Sequence, residues 1–199
     1  RKSVLEMMST RLEPTLSLAA FGFVLSVGIG IPVGLLAAWK AHTIVDRAVM
    51  MFTVLGFSVP VFLLAFLFVW LFAIKQPIFP AIGYSPLSDG IFDWVRSLAL
   101  PSITIAIQVA AVFARMTRST MLEVLQEDYI RTARAKGVAE YHVYVRHAFK
   151  NASIPIVTLL GFLFIGLVTG TVIVELVFAI PGLGRLLVDA VNGRDFPIV

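Results

Sequence analysis

The chain has 199 residues, of which 59% are apolar and 14% charged, and its mean hydropathy is +0.94. An ordinary soluble domain is about 45–50% apolar and about 25% charged, so composition excludes that class and points to an integral membrane protein. The lack of cysteine excludes a disulfide framework and a thiolate metal site, and the formal net charge of +4 fits the excess of Lys and Arg carried by cytoplasmic loops.

The sequence starts at Arg1 with no charged-then-apolar leader, which reads as a piece of a longer protein. Crossing a bilayer as a helix takes about 20 mostly apolar residues, and four stretches offer this. Residues 14–39 and 48–74 contain no Asp, Glu, Lys or Arg; 97–114 is shorter and more polar; the fourth runs over 151–176. None shows the alternation of a transmembrane barrel strand, so the expected class is all-α integral membrane, a polytopic helix bundle. Pro32 and Pro60 fall inside spans, where neighbours must satisfy the freed carbonyls. Pro101 and Pro155 fall in first turns, where proline costs little. The pairs Gly30–Gly34 and Gly166–Gly170 have the small-xxx-small spacing that lets helix backbones approach closely.

Residues 115–150 carry seven basic side chains, Arg115, Arg118, Arg131, Arg134, Lys136, Arg146 and Lys150, whereas 75–96 carries only Lys75 and Arg96. The positive-inside rule therefore places 115–150 in the cytoplasm, and 75–96 and 179–199 outside. Arg1, Lys2 and Arg11 then fall on the outer side, against the rule but outweighed by the dense strip. Burying seven basic groups at ~2.5–3.5 kcal/mol each would cost on the order of 20 kcal/mol, so the strip lies in water or in a partner's groove. Its pattern is helix, turn, helix. Glu127 stands four residues before Arg131, the favourable order for a helical pair; Gly137 is placed to end the first helix with a positive φ; a second helical run covers 139–150. Charge alone permits a solvated loop or a lipid-headgroup patch. The acidic Glu123, Glu127, Asp128 and Glu140 argue against nucleic acid.

"EDYIRTARAKG" followed by "VYVRHAFKNASIPIVTLLG" resembles the cytoplasmic coupling loop of ABC importer permeases. The likeness is to the peptide/nickel branch, and within it to the first of two paired permease subunits. "EPTLSLA" with "GIPVGLLAA" resembles that family's second transmembrane helix, and "GTVIVELVFAIPGLGRLLVDAVNGRDFPIV" resembles the end of its fifth helix and what precedes its last. The general pattern E-A-A-x3-G-x9-I-x-L-P is met here only at Ala133 and Gly137, whereas the branch form D-Y-x-R-T-A-R-A-K-G is matched closely. The resemblance implies a binding-protein-dependent importer permease, with its first and last helices absent from this chain, in a bacterial or archaeal inner membrane. It implies a second permease subunit, two ATPase subunits that bind ATP and Mg, and an extracytoplasmic solute-binding protein. The chain itself would bind no cofactor. ATPase coupling is expected at Asp128, Tyr129, Arg131, Thr132, Ala133, Arg134, Ala135, Lys136 and Gly137. Arg131, Arg134 and Lys136 would be charged anchors, and Ala133 and Ala135 would permit close approach.

No phosphate-binding G-x-x-x-x-G-K-[ST], no G-x-S-x-G and no H-E-x-x-H occurs, so no catalytic residue and no metal ligand is named. His142 and His147 lie five apart and do not converge on one helix face. Polar residues within spans face cavities or other helices. Ser58 and Gln108 are therefore open to two readings, interhelical hydrogen bonding or pathway lining. For Glu175 the resemblance implies a structural or gating role at the outer mouth, with hydrogen bonds to backbone near Pro181–Gly184. The rival to an ATP-driven importer is an ATP-independent channel or secondary transporter, which has no use for the glycine-broken strip.

Overall fold

A chain this poor in polar side chains must satisfy its backbone N–H and C=O groups internally, and a helix does so within one segment. The computed structural model describes residues 4–195 and 198. Arg1, Lys2 and most of the closing FPIV, on which parts of the sequence reading fall, lie outside the described residues. Among the described residues all regular structure is helical.

Helix α1 (Val4–Trp39) starts before the apolar run, with Glu6 in its first turn where an acid suits the positive end of the helix. Helix α2 (Ile44–Ser58) and α3 (Val61–Val69), the latter extended by a π-helical turn at Trp70–Lys75, fall where one span was expected. They do not form one rod: the chain bends by 98° between them. Pro60, which cannot donate to a helix, sits as the N-cap of α3, so the helix stops and restarts at this proline. After a loop with a short 3-10 turn at Leu87–Asp89 come α4 (Ile91–Val124) and α5 (Asp128–Ala135). A continuous helical run follows, made of α6 (Glu140–His142), a π-helical stretch (Val143–Phe149) and α7 (Lys150–Gly170). Helices α8 (Val172–Val177) and α9 (Leu183–Gly193) close the fold.

Three helical runs among the described residues are long and apolar enough to cross a membrane, Val4–Trp39, Ile91–Val124 and Glu140–Val177; the bent pair makes a fourth if it counts as one span. One expectation needs correction. Helix α4, which carries the expected span 97–114, is 34 residues long, and the run that carries 151–176 begins at Glu140. Pro101 and Pro155 consequently lie inside helices and not in first turns.

Contacts divide the chain into two compact bodies to which α1 and α4 both contribute. One comprises Ser26–Ser58 and Gln108–Leu163. Here Gly30 and Gly34 let α1 lie against the α4 backbone: a Cβ on Gly30 would come within 2.6 Å of the Ala110 carbonyl oxygen, and one on Gly34 within 2.5 Å of that of Ala114. The same residue offset at both contacts means that the two helices run in the same direction. The chain between two parallel neighbours must return, which α2 and α3 allow. Below this seam Ala38, Met121, Ile130, Val143, Tyr144, Ala148 and Ala152 form a buried cluster. The Tyr144 hydroxyl donates to the Leu35 carbonyl, and the ring packs edge-on against Trp39 at 4.6 Å.

The other body comprises the chain up to Leu25, Val59–Ile107 and the chain from Phe164 onward. Its core includes Leu18, Ala65, Leu98, Val174, Phe178 and Ile180. The loop after α3 is tied down at several points. The Gly83 N–H donates to the Phe178 carbonyl (2.9 Å), the Tyr84 hydroxyl to Glu13 Oε1 (3.1 Å) and Arg96 to the Ile78 carbonyl (3.2 Å). Burial pushes the Tyr84 phenol above its ordinary pKa and keeps it a neutral donor. By contrast, Gly166 and Gly170 meet nothing within 4 Å, so their spacing serves no helix contact among the described residues.

Candidate functional site

The strip between α4 and α7 builds a compact helical corner. An isolated eight-residue helix is marginal in water, and α5 is anchored by one side chain above all, Ile130, which is fully buried in the cluster of Met121, Val143 and Ala148. With Ile130 inward, helical spacing turns Ala133 and Arg134 to the same side and Asp128, Arg131, Thr132 and Ala135 to the other. Ala133 packs on the cluster, while Asp128, Arg131, Thr132 and Ala135 are exposed, as is Arg134 at the edge of the inward side. Lys136 caps the helix and Gly137 follows at φ +77°, a conformation that glycine adopts without strain, so the chain reverses where the sequence placed its turn.

The ion pairs differ from expectation. Glu127 precedes the helix with extended backbone (φ −64°, ψ 148°), so it does not stack above Arg131. Arg131 instead meets Asp128 at 3.5 Å, an exposed pair. Arg134 is bound within the chain: its Nε donates to Glu140 Oε2 at 3.1 Å and its Nη2 to Glu140 Oε1 at 2.6 Å. This two-pronged contact raises the pKa of the guanidinium above its already high value. Tyr129, half-exposed, accepts a 2.7 Å hydrogen bond from Asn151 Nδ2. The expected second helical run is present but is wound as a π-helix over Val143–Phe149.

The polar residues named within spans lie apart from this corner. Ser58 is exposed and its hydroxyl donates to the Val54 carbonyl of its own helix (2.7 Å). Gln108 lies half-buried midway along α4. Glu175 is fully buried, and three groups donate to its carboxylate: Thr15 (2.7 Å) and Thr171 (3.2 Å) through their hydroxyls, and the Arg185 N–H (3.0 Å). The Thr15 hydroxyl also accepts from the Leu183 N–H at 2.8 Å. Gly182, the N-cap of α9, has no side chain to cap the helix, and a Cβ there would overlap the Glu175 carboxylate. Glu175 and Thr15 thus satisfy the first amides of α9 from a distance, filling the role a capping side chain ordinarily plays.

Two buried polar arrangements escaped the sequence reading. Thr15 lies 160 residues from Glu175, and no local pattern marks it. Asp46 is almost fully buried and accepts from Arg118 through both oxygens, one of these contacts being 2.7 Å from Nη2; it also accepts from the His42 N–H at 2.9 Å. The spacing Thr43-x-x-Asp46 has the form of a capping box, but the Thr43 hydroxyl donates to the Lys40 carbonyl and Asp46 reaches the His42 N–H instead of that of Thr43.

Residues 30–199 match the family described as binding-protein-dependent transport system inner membrane component. The chain belongs to that family. Its fold is that of a multi-pass membrane protein, and the family supplies the membrane component of a transport system and not its ATPase. Across 98% of its length the chain is 45% identical to a protein of Sinorhizobium fredii named "Probable peptide ABC transporter permease protein", of which it covers 63%. Across 99% of its length it is 38% identical to the dipeptide transport system permease protein DppB of Bacillus subtilis, of which it covers 61%. The chain therefore spans less than two thirds of the length of these relatives.

Proposed function

We propose that this family member forms part of the translocation pathway for peptides in an ATP-driven importer of a bacterial or archaeal inner membrane. The observation that carries the reading is the corner at 128–151: a short charged helix held outside the apolar runs, in a chain whose relatives are named for peptide transport. An exposed face of Asp128, Arg131, Thr132 and Ala135 suits docking against another protein, since two small side chains allow close approach and two charges fix register. The partner is a cytoplasmic ATPase that binds ATP and Mg. A second permease subunit and an extracytoplasmic peptide-binding protein complete the assembly. Lys136 and Gly137 close the docking face, and Ser58 and Gln108 remain candidates for the pathway.

The test is affinity purification of the full-length protein from its native membrane, followed by reconstitution into vesicles. A co-purifying P-loop ATPase and peptide uptake that requires ATP are expected. Repeated recovery without an ATPase, together with uptake driven by an ion gradient alone, would replace this reading with that of a secondary transporter.

A further inference from the structure

Of the residues expected to couple to the ATPase, two are held by the chain itself. Tyr129, near the start of the helix, is held by Asn151, and Arg134, near its end, is held by Glu140 through two hydrogen bonds. Both partners belong to the continuous helical run that becomes α7. Between these two points Ile130 is sunk in the cluster that the same run supplies through Val143, Ala148 and Ala152. Near its start and near its end the helix is therefore tied by polar side chains to one run, while Ile130 sits in a cluster to which Ala38 of α1 and Met121 of α4 also contribute. A lone pin leaves a short helix free to pivot; a second polar contact near the far end fixes its direction as well as its place.

We propose that Tyr129 and Arg134 are positioning residues that weld α5 to the 140–151 run, so that α5 and α7 move as one piece. The inference rests on the reading of α5 as an ATPase-docking helix. Magnitudes separate this role from a stabilising one. The Arg134 and Glu140 side chains are 40% and 55% exposed, and pairs in that setting contribute little to stability. A two-pronged guanidinium–carboxylate contact is instead directionally specific. Its place across the Gly137 turn, the most easily bent point of the corner, is where direction is otherwise lost.

The experiment uses the whole transporter in vesicles and reads three quantities: ATPase retained on purification, ATP hydrolysed, and peptide taken up per ATP. Arg134→Glu and Glu140→Arg should each retain the ATPase while uptake per ATP falls about tenfold, and the doubly reversed variant should recover most of it. Tyr129→Phe, which keeps the ring and removes the acceptor, should lower the same ratio by a smaller factor. Residues 1–199 hold no cysteine, so, with any cysteine elsewhere in the transporter replaced, Arg134→Cys with Glu140→Cys can be bridged by a short bis-maleimide, which should restore uptake per ATP to a chain lacking the ion pair. This second route tests the weld even if the charge reversals fold poorly. Unchanged uptake per ATP in the single variants overturns the proposal, as does a bridge that blocks transport. Loss of the ATPase from Arg134→Glu also overturns it, by making Arg134 a docking contact. A wild-type chain that never retains an ATPase would instead refute the importer reading itself.

Discussion

At the scale of single residues, the most constrained group is the Glu175 carboxylate. Three donors converge on it in a fully buried setting. Its removal leaves those donors unpaired, at about 1–3 kcal/mol each. Glu175→Leu is therefore expected to lower stability by about 3 kcal/mol or more, and Thr15→Val by about 1–3 kcal/mol, read as loss of folded protein on heating in detergent. A melting curve for Glu175→Leu that overlays the wild type would contradict the cap reading. Gly34 is constrained in another way, by backbone on the other side of the contact. Gly34→Ala should cost about 1–3 kcal/mol by prising α1 from α4, whereas Gly166→Ala, with open space around it, should be neutral or stabilise the isolated chain by up to about 1 kcal/mol. Equal losses from the two substitutions would show that the seam has no special tightness.

At the scale of elements, the strip at 128–151 shows what a sequence can and cannot disclose. Gly137 was legible because a positive φ after a helix is a local demand that one residue type meets cheaply. Helix α5 was legible for the same reason, its propensity being local, although it starts one residue after the Glu127 that was read as part of it. The partners of Tyr129 and Arg134 were not, because they depend on how the next run is wound, and the π-helical stretch at Val143–Phe149 rotates its face away from the ordinary spacing. The break at Pro60 was half legible: the proline was visible, but whether a helix bends around it or stops depends on the neighbours that accept its freed groups. Buried Asp46 with Arg118, and Thr15 with Glu175, join residues distant in sequence, so periodicity carries no trace of them. The turn makes a sharp prediction. Gly137→Ala forces a side chain into a left-handed conformation at about 1–2 kcal/mol and should reduce peptide uptake in part. Gly137→Pro fixes φ near −65° and removes the N–H that donates to the Arg134 carbonyl, so uptake should be abolished and ATP hydrolysis should run free of transport. Normal uptake by the proline variant would sink the coupling role of α5.

At the scale of the whole molecule, orientation is the property on which every partner assignment depends. We propose, from the excess of basic groups in 115–150, that α5 faces the cytoplasm and the loop after α3 the outside. With any cysteine outside residues 1–199 replaced, single-cysteine labelling measures this directly. Lys136→Cys should react with a membrane-impermeant maleimide only in inside-out vesicles, and Asp89→Cys only in intact cells stripped of their outer barrier. Labelling of Lys136→Cys from the outer face would reverse the whole scheme and remove the ATPase from reach. The seam between α1 and α4 bears on how such a molecule changes state. Most helix pairs meet through side chains, which can swap rotamers and so offer two ways of fitting together. At Gly30 and Gly34 main chain lies on main chain, with no rotamer to exchange and no gap to give. That seam has a single fit, so α1 and α4 form a fixed two-stranded strut there, and any switch between conformations has to be accommodated by the helices hung on it.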